Sequence, residues 1–203
     1  MSGSLFDHSE MKTENQRYKE PFLEPVLRQF RIKRVIKHIP HGCRLLDVGC
    51  GRSATFLRAI SSHIKEGVGI DFKVNTESVS NISTIQTHID NKLPFVDGSF
   101  DVVTMLAVLE HIEDDMSIIT EVHRVLKSGG KLILTVPSIW AKPVLEFLAF
   151  RLGIVSQLEI LDHKRYYTRQ KLESDLTIKG NFTKFYHYYF QLWMNNFCIV
   201  EKQ

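Results

Sequence analysis

The chain has 203 residues, 43% hydrophobic and 24% charged, with 26 Lys and Arg against 23 Asp and Glu and a formal charge of +3. This is the composition of a globular protein long enough to bury a full core, and it excludes global disorder. Its most apolar stretch, residues 132–141, is far shorter than the roughly 20 residues a bilayer span needs, and the polar opening MSGSLFDHSEMKTEN lacks the pattern of a secretory signal, so a cytoplasmic location without a membrane span is expected.

Residues 1–40 carry 8 basic and 5 acidic side chains. Arg28, Arg31, Lys33, Arg34 and Lys37 alternate with Val26, Leu27, Phe30, Ile32, Val35, Ile36 and Ile39. That spacing predicts an amphipathic helix with a solvated basic face. Residues 41–140 are net acidic, with 9 basic against 12 acidic side chains, and residues 141–203 are net basic, with 9 against 6. No segment has the dense basic stripe of a nucleic-acid groove, and no nucleic-acid partner is expected.

The central third alternates short apolar runs with helical patterns. Strands are predicted over 44–48, 67–70, 100–106 and 131–136, and helices over 54–64 and from an Asp114 or Asp115 cap to a stop at Gly129 and Gly130. Strands alternating with helices need crossover connections, which predicts a mostly parallel sheet covered on both faces, an α/β doubly wound core. Residues 144–155 (VLEFLAFRLGIV) read as a helix covering the sheet or roofing a pocket, with attachment to a membrane surface as the other reading. A helix over 168–179 stopped by Gly180, then strands over 182–190 and 196–201 forming a hairpin, complete the pattern. One domain is the economical count: an N-terminal cover (1–40), a core (41–140), and lid helices with a terminal hairpin (141–203). Cys43, Cys50 and Cys198 have no C-x-x-C pairing, so reduced thiols are expected. No histidine pair has partners at a metal-ligand spacing, and no metal is expected.

In an open parallel sheet, ligands bind beyond the carboxyl ends of the strands. The first such place is LLDVGCGRS at 45–53, where Gly49 and Gly51 permit a sharp bend and a close backbone approach to a nucleotide or nucleoside. Gly49, Gly51 and Ala54 also satisfy the G-x-G-x-x-A form of a dinucleotide site, with Asp71 at a suitable distance. Asp47 separates the two readings: a carboxylate there repels a pyrophosphate and suits a cationic ligand. Asp47 can also brace the loop, and Asp71 can also cap a following helix.

Five blocks in order carry a resemblance: LLDVGCG (45–51), GVGID (67–71), LPFVDGSFDVV (93–103), VLEHIED (108–114) and RVLKSGGKLILTVPS (124–138). On these the chain resembles the class I S-adenosylmethionine-dependent methyltransferases, closely over 41–138 and loosely elsewhere. The resemblance implies a Rossmann-like seven-stranded sheet of order 3-2-1-4-5-7-6, with the last strand antiparallel. It also implies that Asp47, Gly49, Cys50, Gly51 and Ser53 hold the methionine part of S-adenosylmethionine, that Asp71 takes the ribose hydroxyls, with Phe72 beside it, and that Leu106 and Ala107 lie under the cofactor. Ser53 stands where the family has a third glycine. An ungapped alignment puts His88 where an acid normally contacts the adenine amine, and Asp90 with Ile89 is the substitute.

Methyl transfer needs alignment more than covalent chemistry, and orientation contributes about 7–11 kcal/mol. A base is needed chiefly for an oxygen acceptor. Candidate bases are His111, His163 and Tyr166, with Glu110 as an orienter; Glu110 and His111 can equally stabilise their loop. HKRYY at 163–167 is read either as a site for an anionic or sugar-like acceptor or as surface packing. The acceptor is expected to be a small molecule, partly apolar or anionic. A nicotinamide-dependent oxidoreductase and a non-catalytic S-adenosylmethionine-binding partner protein are the competing readings.

Overall fold

A computed structural model describes residues 24–89, 92–141, 143–144 and 165–203. Helix α1 (Glu24–Val35), extended by a 3-10 turn (Ile36–His38), precedes strand β1 (Arg44–Val48), short helix α2 (Thr55–Ala59) and strand β2 (Glu66–Asp71). Strands β3 (Glu77–Val79), β4 (Ile82–Gln86) and β5 (Phe100–Leu106) follow, then a 3-10 turn (Leu109–His111) and helix α3 (Asp115–Val125). Strand β6 (Leu126–Pro137), helix α4 (Arg169–Glu173) with a π-helical continuation (Ser174–Lys179), and strands β7 (Thr183–Phe190) and β8 (Asn195–Glu201) complete the described chain.

The sheet has eight strands in the order β3-β4-β2-β1-β5-β6-β8-β7. β4, β2, β1, β5 and β6 are parallel neighbours, while β8 runs antiparallel to both β6 and β7. Setting β3 aside, this is the expected seven-strand order. The expectation falls one strand short because Glu77–Val79 turns back along β4 as an antiparallel edge. Alternation along the central strands buries both faces. Leu46, Val48, Val103, Met105, Leu132 and Leu134 meet α3 and the segment around Leu172 and Leu176 on one side. Leu45, Val102, Ile133 and Ile199 meet Ile32, Val35, Phe56 and Leu57 of α1 and α2 on the other.

Two boundaries differ from the sequence reading. The predicted 54–64 helix contracts to Thr55–Ala59 because the Asn81 amide donates to the carbonyls of Ser61 and Ile64 at 2.8 and 3.0 Å, holding that stretch as turns. The helix begun by Asp114, whose carboxylate accepts from the Ser117 amide at 3.0 Å, ends at Val125 and not at the glycines. Leu126 is already extended and pairs with Phe100, and Gly129 and Gly130 exchange backbone bonds with Lys202 at 2.9 Å, so strand pairing claims this stretch. The strand Ile82–Gln86 has only two apolar residues, Ile82 and Ile85, and gave no clear period in the sequence. The 144–155 segment lies almost wholly outside the described residues. No helix among the described residues is long and apolar enough to cross a membrane.

Candidate functional site

The bend after β1 is built from backbone conformations that side chains disfavour. Gly49 has φ +77°, and a Cβ there would lie 2.3 Å from Cγ2 of Val108, in the loop after β5. Gly51 has φ +69° and nothing within 4 Å of where a Cβ would stand, so its outer side is open to a ligand. The Gly49 and Cys50 amides donate to the Ile70 carbonyl at 2.8 and 3.1 Å, tying the bend to β2. A cradle formed by two strand ends results, with Val108 as its floor.

Asp71 closes that cradle. One oxygen accepts from the Gly51 amide at 3.0 Å and the other from the Lys73 amide at 2.8 Å. No helix follows for it to cap. Each carboxylate oxygen keeps a further lone pair, which is what two ribose hydroxyls require. Asp47, 2% exposed, faces the same strands: β1 sits between β2 and β5, with Asp47 opposite Gly69 and Thr104. The Thr104 hydroxyl donates to the Asp47 carboxylate at 2.7 Å. Burial nevertheless pushes the Asp47 carboxyl up to about 7, the Thr104 bond opposing this and the Asp71 charge adding to it. A cationic ligand group beside it would restore the ionised form. Open glycine backbone, a carboxylate with spare lone pairs and a buried acid short of a counter-charge together fit S-adenosylmethionine.

Cys50 turns its side chain away from the open side of the bend. Its thiol turns inward over Gly69, where a Cβ would lie 2.8 Å from the sulfur, and burial raises its pKa. Ser53 is exposed, and its carbonyl accepts from Arg58 Nε at 2.9 Å. Phe72 is half exposed and stacks on His88, with centroids 5.8 Å apart and planes 10° apart. The residue that an ungapped alignment selects thus stands beside Phe72 at the cradle's edge. Ile89 packs partly against the core, and Asp90 lies outside the described residues. Leu106 ends β5; Ala107 takes φ +60° and its amide donates to both the carbonyl and the hydroxyl of Thr135, at 2.9 and 3.1 Å.

Beyond Ala107, the 3-10 turn places Glu110 and His111. Glu110 is 1% exposed, its Oε2 has no hydrogen-bond partner among the described residues, and burial pushes its carboxyl up to about 8 against the nearby charge of Arg31 on α1. His111 is half buried and its amide donates to the Val108 carbonyl at 3.0 Å. Within HKRYY, His163 and Lys164 lie outside the described residues. Arg165 and Tyr167 are anchors. Arg165 donates to the carbonyls of Ile112 and Glu113 at 3.1 and 2.6 Å and pairs with Asp115 at 3.1 Å. The buried Tyr167 hydroxyl lies 3.2 Å from an Asp115 oxygen. Tyr166, between these two anchors, is half buried. Thr104, Val108 and Arg31 were missed in the sequence; only Thr104 had a signal, a polar residue inside an apolar strand next to Asp47's strand. No group of three or more metal-ligating side chains gathers among the described residues.

Residues 46–134 match the family described as a methyltransferase domain. Among curated relatives, a demethylmenaquinone methyltransferase of Staphylococcus saprophyticus is 34% identical over 50% of this chain and 48% of its own. A 27-O-demethylrifamycin SV methyltransferase of Amycolatopsis mediterranei is 32% identical over 46% and 38%. The chain thus spans about half or less of the length of these relatives. Among solved structures, YcgJ of Bacillus subtilis superposes with a TM-score of 0.62 at 17% identity, covering 86% of this chain and 99% of that one. An S-adenosylmethionine-dependent methyltransferase of Mesorhizobium loti gives 0.63 at 17% identity, with 83% and 96% covered. Over residues 46–134 the chain is thus similar in sequence to methyltransferase domains, and its sheet order and cradle share the fold of the solved S-adenosylmethionine-dependent methyltransferase.

Proposed function

We propose that this chain moves a methyl group from S-adenosylmethionine to a small-molecule acceptor. The observation that carries the reading is the pair of carboxylates at the bend: Asp71 bonded to the Gly51 amide at 3.0 Å and Asp47 buried behind it. Two acids at the ends of the strands that form the bend disfavour a diphosphate and favour a sulfonium with a ribose. This argues against the nicotinamide reading. Bound there, S-adenosylmethionine supplies a methyl group activated by the sulfonium charge, released to an acceptor by in-line displacement.

In this reading Asp71 takes the ribose hydroxyls, the Gly49–Gly51 backbone and Asp47 hold the methionine part, and Phe72 with His88 flanks the adenine. Leu106 and Ala107 underlie the cofactor. Glu110, His111 and Tyr166 face the acceptor side. The buried Glu110 carboxyl, its Oε2 without a partner among the described residues and its pKa raised to about 8, is suited to exchange a proton with an acceptor hydroxyl above neutral pH and to hydrogen-bond it below. His163 remains a candidate beside them. Relatives that act on demethylmenaquinone and on a demethylated rifamycin support an acceptor with an apolar ring system.

The test has two arms. Calorimetry with S-adenosylhomocysteine is expected to give binding that Asp71→Ala weakens substantially, and NADH is expected to give none. Methyl transfer from labelled S-adenosylmethionine is then scored over ring-hydroxylated acceptors. Absence of S-adenosylhomocysteine binding at millimolar concentration refutes the reading; binding without turnover on any acceptor returns the non-catalytic partner protein.

A further inference from the structure

We propose that the groove between the 3-10 turn after α1 and the β7–β8 hairpin, at the opposite end of the sheet from the cradle, binds a small aromatic phosphate. The groove exists because the helix stops short. Ile39 is already extended and Pro40 follows, so the turn packs His38 against Phe197 of β8 and covers little beyond it. Tyr186 and Tyr188 of β7, opposite Ile199 and Phe197, are left 48% and 45% exposed. Lys131, at the start of the parallel part of β6, and its strand partner Glu201 close the far side. The cavity so formed has a volume of about 450 Å³, within the range of small-molecule sites.

Its lining carries an excess of positive charge. Arg34 stands over the Tyr188 and Phe197 rings, 5.1 and 5.5 Å from their centroids, and its buried Nε has no hydrogen-bond partner among the described residues. Lys37 is exposed at the rim. Among the described residues neither Arg34 nor Lys37 pairs with a carboxylate, and the one acid lining the groove is Glu201. Lys184 already holds Glu201 at 2.7 Å, which leaves Lys131 3.6 Å from it. Arg34, Lys37, Lys131 and Lys184 thus surround a single carboxylate. The His38 imidazole feels the imbalance: burial, and then the charges of Arg34, Lys131 and Lys37, hold its pKa below the ordinary value.

The extent of that excess selects the size of the ligand. Farther along the same end of the sheet each cation is matched, Arg44 by Glu66 at 2.9 Å and Lys127 by Asp101 at 2.6 Å. An extended polyanion lying across this end would meet those carboxylates, whereas a compact anion meets only the unmatched cations. Ammonium groups and tyrosine hydroxyls are donors that a phosphate can use, and the Tyr186 ring with the Ile199 side chain offers a wall for an aromatic ring. The inference does not depend on which ligand the cradle takes.

Calorimetry on the full chain tests this with phenyl phosphate as the probe and inorganic phosphate and phenol as its two halves. Phenyl phosphate is expected to bind more tightly than either half, to weaken with added salt, and to shift the His38 ring-proton signals in NMR. Lys37→Glu should weaken it on the order of tenfold at an unchanged melting temperature. Glu201→Gln, which removes the acid from the groove, should tighten it about threefold, a gain that a misfolded variant does not produce. Saturating S-adenosylhomocysteine should leave the affinity unchanged. The proposal is overturned by absence of phenyl phosphate binding at millimolar concentration, by equal affinity for inorganic phosphate, by full retention in Lys37→Glu, or by competition with S-adenosylhomocysteine.

Discussion

Replacing Gly49 with alanine tests the construction of the cradle most directly, because the cost divides into two parts that a second substitution separates. At φ +77° an alanine pays a left-handed penalty of about 1–2 kcal/mol whatever surrounds it. Its Cβ would also lie 2.3 and 2.9 Å from the two methyls of Val108, and overpacking of this kind costs about 1–3 kcal/mol. Gly49→Ala is therefore expected to destabilise by about 2–5 kcal/mol. Val108→Ala alone, at a half-buried position, should cost about 1 kcal/mol. In the double variant the clashing methyls are gone and the backbone penalty stays, so the effects should fall short of additivity by about 1–3 kcal/mol. Urea unfolding of the four proteins measures the cycle, and S-adenosylhomocysteine calorimetry on the same set should show affinity lost in Gly49→Ala and partly regained in the double variant. Strict additivity, or a neutral Gly49→Ala, would refute the packing of the β5 loop against the bend.

Asp47 predicts a pH dependence. Its unfolded pKa is about 3.9. Its folded value of about 7 is raised. Below both values the carboxyl is protonated in either state; as pH rises from about 4 to about 7 the unfolded chain sheds the proton first, so stability falls across that window and then levels. A sulfonium reverses the preference, so S-adenosylhomocysteine, which is neutral at sulfur, should release fewer protons on binding than S-adenosylmethionine near pH 6. Calorimetry in buffers of different ionisation enthalpy checks this, and Asp47→Asn should abolish the difference. Asp71→Asn removes a charge-assisted acceptor and turns an amide donor toward backbone N–H groups, and should weaken S-adenosylhomocysteine binding by about 1.5–3 kcal/mol in calorimetry. Arg165→Met deletes the bonds to Ile112, Glu113 and Asp115, and hydrogen exchange at 109–115 should accelerate while the β1–β2 bend remains protected.

The parallel core and the position of the ligand bend were legible in the sequence because they rest on local signals, whereas the strand order came only through the family resemblance. Apolar runs such as Leu45–Val48 and Val102–Met105 are buried on both faces, and glycines mark where backbone must bend or be approached. Asp71 was legible for the same reason, as an acid standing at the end of an apolar strand. Other features arise from residues distant in the chain, and no local pattern encodes them. The extra edge strand Glu77–Val79 depends on pairing with β4, and the extension of β6 through Gly129 and Gly130 depends on Lys202. Thr104 becomes the partner of Asp47 only through parallel register across 57 residues. Glu110 becomes a buried carboxyl, only partly offset by the Arg31 charge, once the turn after β5 folds near α1. Arg165 and Tyr167, read from sequence as acceptor contacts or packing, become braces because the chain before α4 crosses the loop after β5. Periodicity and turn chemistry act over a few residues, so they set the elements and the bend; burial, charge pairing and steric closure act across the assembled sheet, and they decided which side chains are free for chemistry.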